Sequence, residues 1–350
     1  MKYPVFLNEK GTIGFPAPSF GCAIEPYRSA FENAQKKWQG MGYKIDLGPN
    51  CYEASGIGIS NTPEKCGREL TEYYLSRDNE CLISCGGGEL MCEILEHVDF
   101  EAMGKAEPKW FMGYSDNTNM TFLLNTLCDT AAIYGPCAAA FGMEPWHSSL
   151  MDAMDLLTGK KKEVAGYGKW EREGLKDEAH PLVPYQCTED LDLKIYQPDQ
   201  AEGMKPADAA VMEGRLIGGC MDCLVNLLGT RFDKVEAFVE NYKEDGLIWF
   251  LEACDLNVFG VRRAMWQMEQ AGWFRHAKGF LIGRPCFCYG EEMMGLDQYT
   301  AILPTAERYG IPVIMDCDLG HLPPMMPLVS GSLAKIKAKG NQLEIKMEYR

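Results

Sequence analysis

A serine at the junction between an apolar strand and a helix is the first residue that could carry chemistry. The residues Gly-Tyr-Ser-Asp at positions 113–116 follow the apolar stretch Trp110 to Met112 and precede a helical pattern. In such a turn the hydroxyl of Ser115 projects clear of the sheet, and the backbone N–H of Asp116 can face a developing oxyanion. Serine and aspartate are also preferred helix N-caps, so the motif taken alone is more often a structural cap.

A serine nucleophile needs a base, and a histidine oriented by a carboxylate is the usual one. His321 is the best candidate, because it follows Gly320 in a loop after the apolar strand Pro312 to Met315. Prolines at positions 323, 324 and 327 would stiffen this loop. A solvated loop histidine remains the alternative. The other four histidines lie in charged helical or irregular segments: His97, His147, His180 and His276.

Glu252 is the best candidate for the orienting carboxylate. It directly follows the apolar strand Leu247 to Leu251. Ligands meet an open α/β sheet at the carboxyl ends of its strands, which is where this side chain would lie. The alternative is that Glu252 or its neighbour Asp255 only caps the following turn.

A run of three glycines, Gly86 to Gly88, separates a predicted strand from a predicted helix. Glycine lets the backbone approach a reacting oxygen closely, so this run could line a catalytic site. The patterned Gly-x-Gly-x-x-Gly of a dinucleotide site is absent from it. Taken alone, the glycine run is weak evidence for a catalytic site, and its pattern does not indicate a dinucleotide.

The elements that must position these residues alternate between strand and helix over the first half of the chain, which predicts a parallel sheet. We expect an N-terminal α/β domain over residues 1–160 that bears the serine. A looser, charged and proline-containing stretch over 161–209 is predicted to be a linker with a loop that covers the substrate. Residues 210–350 are predicted to form a second α/β domain that carries the glutamate and the histidine, and it ends in a hairpin.

Composition narrows the function classes. The chain has 350 residues and a formal net charge of −16, which disfavours nucleic acid and anionic membrane as partners. No secretion signal or long apolar stretch stands out, so we expect a cytoplasmic protein whose 15 cysteines are mostly buried free thiols. The local pairs Cys220 with Cys223 and Cys286 with Cys288 have spacings that could hold zinc, but neither lies in a finger-type turn. No metal and no cofactor are expected.

In order along the chain, the glycine run, Ser115, Glu252 and His321 resemble the serine LD-carboxypeptidase family, which includes the microcin C self-immunity peptidases. Further segments carry the resemblance from end to end of the chain: Ala17 to Ser19, Lys109, Gly214 to Gly219, and Ile311 to Val313. One departure is Cys220, which stands where the family often has asparagine.

The resemblance implies a flavodoxin-like N-terminal domain and a smaller mixed α/β C-terminal domain in a metal-free enzyme that is usually a homodimer. It also implies a catalytic triad of Ser115, His321 and Glu252, with an oxyanion hole from the backbone N–H groups of Asp116 and the Gly87 region. The remaining substrate-binding candidates are Gly88 and two aromatic residues of a long loop, Trp170 and Tyr185, either of which could stack on a nucleobase.

The function predicted on this basis is a serine peptidase that hydrolyses an amide bond in a small peptide or peptide conjugate, such as an aminoacyl nucleotide. The substrate itself is left open, because a murein tetrapeptide LD-carboxypeptidase would use the same residues. Three further alternatives stand: an α/β-hydrolase, although Asn117 occupies the position of its second elbow glycine, a glutaminase-like enzyme that uses Cys85, and a binding protein that has lost turnover.

Overall fold

A computed structural model describes residues 1–201 and 203–350, so position 202 of the predicted linker lies outside the described residues. The chain divides into two compact units. The first unit comprises residues 1–161, 173–186 and 327–329, and the second comprises 162–172, 187–326 and 330–350. The predicted domain boundaries at 160 and 210 stay a prediction.

The first unit is built on a parallel sheet with the strand order β2-β1-β3-β4-β5, which is the flavodoxin-like order. A further strand, β15, continues the sheet beyond β5. Four of the five parallel strands have almost no exposed residue, because helices cover the faces of such a sheet. The strands are β1 (Thr12–Phe15), β2 (Lys44–Leu47), β3 (Cys81–Ile83), β4 (Trp110–Gly113), β5 (Ala132–Tyr134) and β15 (Leu328–Ser330).

A capping hydrogen bond and a proline define where the second helix of the first unit begins. The hydroxyl of Thr62 accepts a hydrogen bond from Lys65 N–H and Pro63 occupies the first turn, which together start the second helix. Its apolar face buries Cys66 and Leu70. The helices are α1 (Tyr27–Gly40), α2 (Pro63–Leu75), α3 (Phe100–Lys105), α4 (Thr118–Cys128) and α5 (Ser148–Leu157), with 3₁₀ helices at Met91–His97, Ser115–Asn117 and Ala138–Gly142.

The predicted helix from Glu89 to Val98 is a 3₁₀ helix that begins only at Met91. The N–H groups of Glu89 and Leu90 both donate to the carbonyl of Gly58, which delays the helix start.

The second unit contains a nine-stranded mixed sheet with the order β10-β9-β14-β13-β12-β11-β16-β17-β6. Its centre is parallel, from β11 to β14, and its outer strands are antiparallel. A two-stranded ribbon of β7 and β8 stands apart. The strands are β6 (Glu163–Ala165), β7 (Lys169–Trp170), β8 (Glu189–Asp190), β9 (Lys194–Asp199), β10 (Gly203–Pro206), β11 (Ala209–Cys220), β12 (Leu247–Glu252), β13 (Ala277–Gly283), β14 (Val313–Cys317), β16 (Leu333–Lys339) and β17 (Gln342–Glu348).

Helices connect the strands of this unit. Asn257 caps the longest of them by accepting a hydrogen bond from Gly260 N–H. The helices are α6 (Met221–Leu227), α7 (Val235–Asn241), α8 (Val258–Gln270) and α9 (Leu303–Tyr309). None of the helices in the described ranges is long and apolar enough to cross a membrane.

Strands run through the stretch that was predicted as a linker. Of the short strands β6 to β10, three join the large sheet. The alternation of buried Leu191, Leu193 and Ile195 with polar neighbours is the period-2 signal of a strand, and charged residues around it concealed the pattern. The prediction of a mixed α/β fold with a flavodoxin-like first sheet is confirmed.

Candidate active site

Ser115 occupies a strained turn between β4 and α4. The strand ends at Gly113, Tyr114 remains extended, and Ser115 has a φ of 63°. A non-glycine residue in this left-handed region is uncommon and concentrates at functional turns. The N–H of Ser115 donates to the Tyr134 hydroxyl at 3.3 Å, which helps to hold the strained residue. The geometry is that of a nucleophile elbow.

Glycines make room around this turn. A Cβ on Gly113 would lie 2.8 Å from the Cβ of Asn117, so only glycine lets the helix start so soon after the strand. Gly87 lies against the serine itself, since a Cβ built on it would be 3.3 Å from the Ser115 hydroxyl oxygen. The carbonyl of Gly86 accepts a hydrogen bond from the Asn117 amide at 2.8 Å. The predicted glycine run and the serine are therefore neighbours.

The carboxylate of Asp116 ties three segments together beneath the elbow. Its Oδ2 accepts hydrogen bonds from the Ser19 hydroxyl at 2.5 Å and from Met91 N–H at 2.9 Å. Its Oδ1 accepts from the Asn119 amide at 3.2 Å. The Ser19 segment in turn packs on the glycine run, because a Cβ on Gly88 would lie 2.2 Å from the Ser19 hydroxyl oxygen. Asp116 thus holds the loops that surround Ser115.

Burial raises the pKa of Asp116 to about 6, although the hydrogen bonds from Ser19 and Met91 oppose the shift. The hydrogen bonds from Ser19, Met91 and Asn119 to this carboxylate come from neutral hydroxyl, backbone and amide groups. Neutral donors stabilise a buried carboxylate less than a cation would, which is why burial prevails.

Glu252 and His321 form a buried pair in the second unit. Glu252 is the last residue of the fully buried strand β12, and His321 lies in the loop after β14. The Nδ1 of His321 is 2.9 Å from Oε2 of Glu252. Because a carboxylate only accepts, Nδ1 carries the hydrogen and Nε2 is the nitrogen available for proton transfer. This is the orientation that a general-base histidine needs.

Gly320, the residue before His321, leaves room for the contact between His321 and Glu252. Gly320 has a φ of 95°, and a Cβ there would lie 2.6 Å from Oε2 of Glu252. The imidazole next to it can therefore approach the carboxylate only because residue 320 has no side chain.

Charges around His321 outweigh its burial. Burial by itself lowers the pKa of a histidine, but the Glu252 carboxylate and its hydrogen bond raise it, and Cys286 and Asp222 add to the effect. The net result raises the pKa of His321 to about 9. The imidazole is thus mostly protonated at neutral pH and becomes a base only as the pH increases.

Trp170 lies inside the second unit and is only 3% exposed. The guanidinium of Arg284 lies 4.9 Å from its ring centroid, the ring of Tyr289 meets it edge-on at 5.0 Å, and its indole N–H donates to the carbonyl of Asp190. These contacts are those of an anchor for the ribbon of β7 and β8. A part in substrate stacking stays a prediction.

Tyr185 belongs to the first unit and is half-buried, with its ring 5.6 Å from that of His147. It keeps exposed surface, unlike Trp170. A part for Tyr185 in substrate stacking also stays a prediction.

The surroundings of Cys85 argue against the glutaminase-like alternative, in which this cysteine is the nucleophile. The side chain has no exposed surface, its sulfur is 3.4 Å from that of Cys51, and burial raises the pKa of its thiol well above the ordinary value. A thiol that stays protonated is a weak nucleophile. Nor is there, in residues 1–201 and 203–350, any group of three or more His, Cys, Asp or Glu side chains arranged to hold a metal ion.

The families that match this chain define its class: the protein is a serine peptidase. Two family models match the chain, the LD-carboxypeptidase N-terminal domain over residues 13–135 and the LD-carboxypeptidase C-terminal domain over residues 213–336. These matches cover most of the chain, and the chain therefore belongs to the LD-carboxypeptidase family.

Individual relatives are distant but extend over nearly the whole chain. The microcin C7 self-immunity protein MccF of Escherichia coli is 24% identical over 97% of this chain and 94% of its own length. A Bacillus subtilis protein named "Probable murein peptide carboxypeptidase" is 23% identical over 95% of this chain and 90% of its own. The structure of MccF in complex with glutamyl sulfamoyl guanosine superposes with a TM-score of 0.77 and 21% identity, covering 99% and 98% of the two chains. The fold is shared with that structure.

Sequence reasoning found Ser115, Glu252 and His321 but missed part of what supports them. Ser19 had no predicted role, although a polar residue just past the end of β1 lies at the same sheet edge as the glycine run after β3. Cys254, next to the Glu252–His321 pair, was also overlooked. No local motif marks it, because its partner Cys286 is far away in the sequence.

Proposed function

We propose that this protein hydrolyses an amide bond in a small peptide or peptide conjugate, with Ser115 as nucleophile, His321 as general base and Glu252 as the group that orients the base. The observation that carries the proposal is the 2.9 Å contact between His321 Nδ1 and Glu252 Oε2, which fixes the tautomer that a base requires. The left-handed turn at Ser115 supports the other half of the assignment.

In the proposed mechanism, Nε2 of His321 takes the proton of the Ser115 hydroxyl as its oxygen attacks the scissile carbonyl. The oxyanion is stabilised by the backbone N–H groups of Asp116 and of Gly87, whose backbone lies against the serine side chain. His321 then donates the proton to the leaving amine. Water repeats the sequence, with His321 again as base, and releases the acid and the free enzyme.

The test is hydrolysis by the purified protein with and without its serine. Ser115→Ala should lower kcat by about 10³-fold or more, because the covalent route is lost. Ser148→Ala, a change at an exposed serine at the start of α5, is the matched control and should keep full activity. Product release would be followed by mass spectrometry, and folding of both variants by circular dichroism. Undiminished turnover by folded Ser115→Ala would refute the assignment.

As the substrate class we propose an aminoacyl-nucleotide conjugate of the microcin C type, with a murein tetrapeptide as the second candidate. One relative is named MccF and another is named a murein peptide carboxypeptidase, and the two have nearly equal sequence identity to this chain. The structure of MccF holds glutamyl sulfamoyl guanosine, which favours the nucleotide class by analogy. Incubation with one aminoacyl sulfamoyl adenosine and one murein tetrapeptide separates the two classes by their products.

The nucleobase subsite can be tested through the two aromatic residues. Tyr185→Ala should raise KM for an aminoacyl sulfamoyl adenosine more than for a murein tetrapeptide, because base stacking contributes about 1–3 kcal/mol. Trp170→Phe is the comparison, since it keeps an aromatic ring among the contacts of a buried anchor. Equal KM values with both substrates in both variants would argue against a nucleobase site here.

We also propose that the enzyme works as a homodimer, as the resemblance implies, and that it is cytoplasmic, as its free cysteines favour. Sedimentation equilibrium of the purified protein measures the first point. The mass of a single chain at all concentrations would contradict it.

A further inference from the structure

Two cysteines next to the Glu252–His321 pair are held against each other by the backbone. Cys286 N–H donates to the carbonyl of Ala253, and Phe287 N–H donates to the carbonyl of Cys254, both at 2.9 Å. The N–H of Cys254 donates to the Asp222 carboxylate at 3.0 Å. Cys254 is thus fixed on both of its backbone sides, and its thiol has Cys286 as its neighbour.

The pKa values of the two thiols are shifted in opposite directions. The interaction with the Cys254 thiol lowers the pKa of Cys286 to about 7; burial opposes this shift, and the His321 cation adds to it. The same interaction raises the pKa of Cys254. Cys286 is therefore substantially a thiolate at neutral pH, with a protonated thiol beside it. A thiolate is the form that reacts with oxidants, and a neighbouring thiol can resolve the product.

Exposure distinguishes this pair from a second thiol cluster in the chain. Cys254 and Cys286 are both partly exposed. In the first unit, Cys51 and Cys85 also lie close together, with 3.4 Å between their sulfurs, but both are almost fully buried. Burial raises the pKa of Cys85. Of these two pairs, a solute can reach Cys254 and Cys286 but not Cys51 and Cys85.

We propose that Cys254 and Cys286 are a site of reversible oxidation, at which a hydroperoxide converts the two thiols to a disulfide. The Cys286 thiolate attacks one peroxide oxygen, the O–O bond breaks, and Cys286 becomes a sulfenic acid as hydroxide or alkoxide leaves. The Cys254 thiol then attacks this sulfur, an S–S bond forms, and water leaves. The pair loses two electrons to the peroxide, and a dithiol reductant returns them.

Oxidation also changes the charges that face the base, and this part rests on the proposed function. The charged groups that face His321 are Glu252, Cys286 and Asp222. Those that face Cys286 are His321, Glu252 and Asp255, and the neutral Cys254 thiol lies beside them. A disulfide removes the negative charge of Cys286 and leaves the carboxylates. The acid limb of kcat/KM should then move to lower pH in the oxidised enzyme, because His321 loses one of the charges that hold its proton.

The test is disulfide mapping of the full chain. The protein is treated with hydrogen peroxide, remaining thiols are blocked with iodoacetamide, and peptides are analysed without reduction. We expect a linked peptide that contains Cys254 and Cys286 and that disappears after dithiothreitol. Cys51 and Cys85 should stay reduced and become alkylated only after unfolding.

Variants keep the proposal open to refutation. Cys254→Ser should abolish the linked peptide and leave Cys286 as a sulfenic acid that dimedone captures, whereas Cys288→Ser, a change two residues from Cys286, should leave the linkage intact. Alkylated Cys254 and Cys286 after peroxide treatment, or a linkage of Cys286 to any other cysteine, would overturn it. Mapping does not depend on turnover, so an enzyme that cleaves neither substrate but forms this disulfide would contradict only the proposed function.

Discussion

Two buried carboxylates, one in each unit, do different work because their partners differ. Asp116, beside the serine, receives hydrogen bonds from neutral groups, and its pKa is raised by burial. Glu252, beside the histidine, faces an imidazole whose pKa it raises to about 9. Asp116 therefore holds in place the loops that it joins. Glu252 instead sets the tautomer and the pKa of His321, the proposed base.

The largest expected effect comes from removing the charge of Glu252. Glu252→Gln should lower kcat by about 10³-fold to 10⁴-fold, because the histidine loses the partner that orients it. The acid limb of kcat/KM, expected near pH 9 in the unchanged enzyme, should also move to lower pH.

Glu240→Gln is the matched control for this change, since Glu240 pairs with His276 at 3.2 Å on the exposed surface of the same unit. It should leave both the rate and the pH profile unchanged. An acid limb that stays in place in Glu252→Gln would break the electrostatic half of the comparison.

The next effect is on stability. The pKa of His321 rises from 6.5 to about 9 on folding, so the folded state holds this proton more tightly than the unfolded state. The resulting stabilisation, about 3 kcal/mol, is complete below pH 6.5 and is lost as the pH increases through 9.

Urea unfolding at a series of pH values measures this contribution. The free energy of unfolding of His321→Gln should vary less between about pH 6 and about pH 10 than that of the unchanged protein. These pH values lie roughly at the two ends of the His321 titration. His180→Gln, at an exposed histidine, is the control. Identical pH dependence in all three proteins would contradict the raised pKa.

A smaller effect should follow from Gly320→Ala. The added Cβ would meet Oε2 of Glu252 at 2.6 Å and would also sit at a positive φ, so we expect a loss of about 2 kcal/mol of stability together with reduced kcat. Gly340→Ala also introduces a side chain at a positive φ, here 53°, but meets no atom within 4 Å. It should lose stability without losing activity, as thermal unfolding and rate assays would report. Equal activity in both variants would mean that the approach of His321 to Glu252 does not depend on Gly320.

The smallest effect is expected at Asp116, the carboxylate that holds the loops in place. Asp116→Asn keeps the shape of the side chain but weakens the hydrogen bond from Ser19. We expect kcat to decrease about tenfold at unchanged KM, which corresponds to the loss of one hydrogen bond to a charged group. Asp99→Asn, at the cap of α3, is the control and should not affect kcat. A shift of the acid limb in Asp116→Asn as large as that in Glu252→Gln would mean that both carboxylates act electrostatically, and the comparison would fail.

Local patterns were enough to predict much of this site. Ser115 was found because an apolar strand, a Gly-Tyr-Ser-Asp turn and a helix are consecutive in sequence, and β4 and α4 have nearly the predicted bounds. Glu252 and His321 were found in the same way, as polar residues that follow apolar strands. Strands β9 and β10 were not predicted because they lack an apolar alternation: Ile195 is the one buried residue of β9, and β10 has none.

The amino-acid sequence by itself determined the class of fold, the family and the candidate triad, because periodicity and turn chemistry are local and the family motifs keep their order along the chain. Only the tertiary structure decided which of these residues are partners. His321 meets Glu252 and not Asp255, Asp116 binds Ser19, and Cys286 meets Cys254 and not its neighbour Cys288. The physical reason is that these pairs form at the carboxyl ends of parallel strands, where strand order and register bring together residues that are dozens of positions apart.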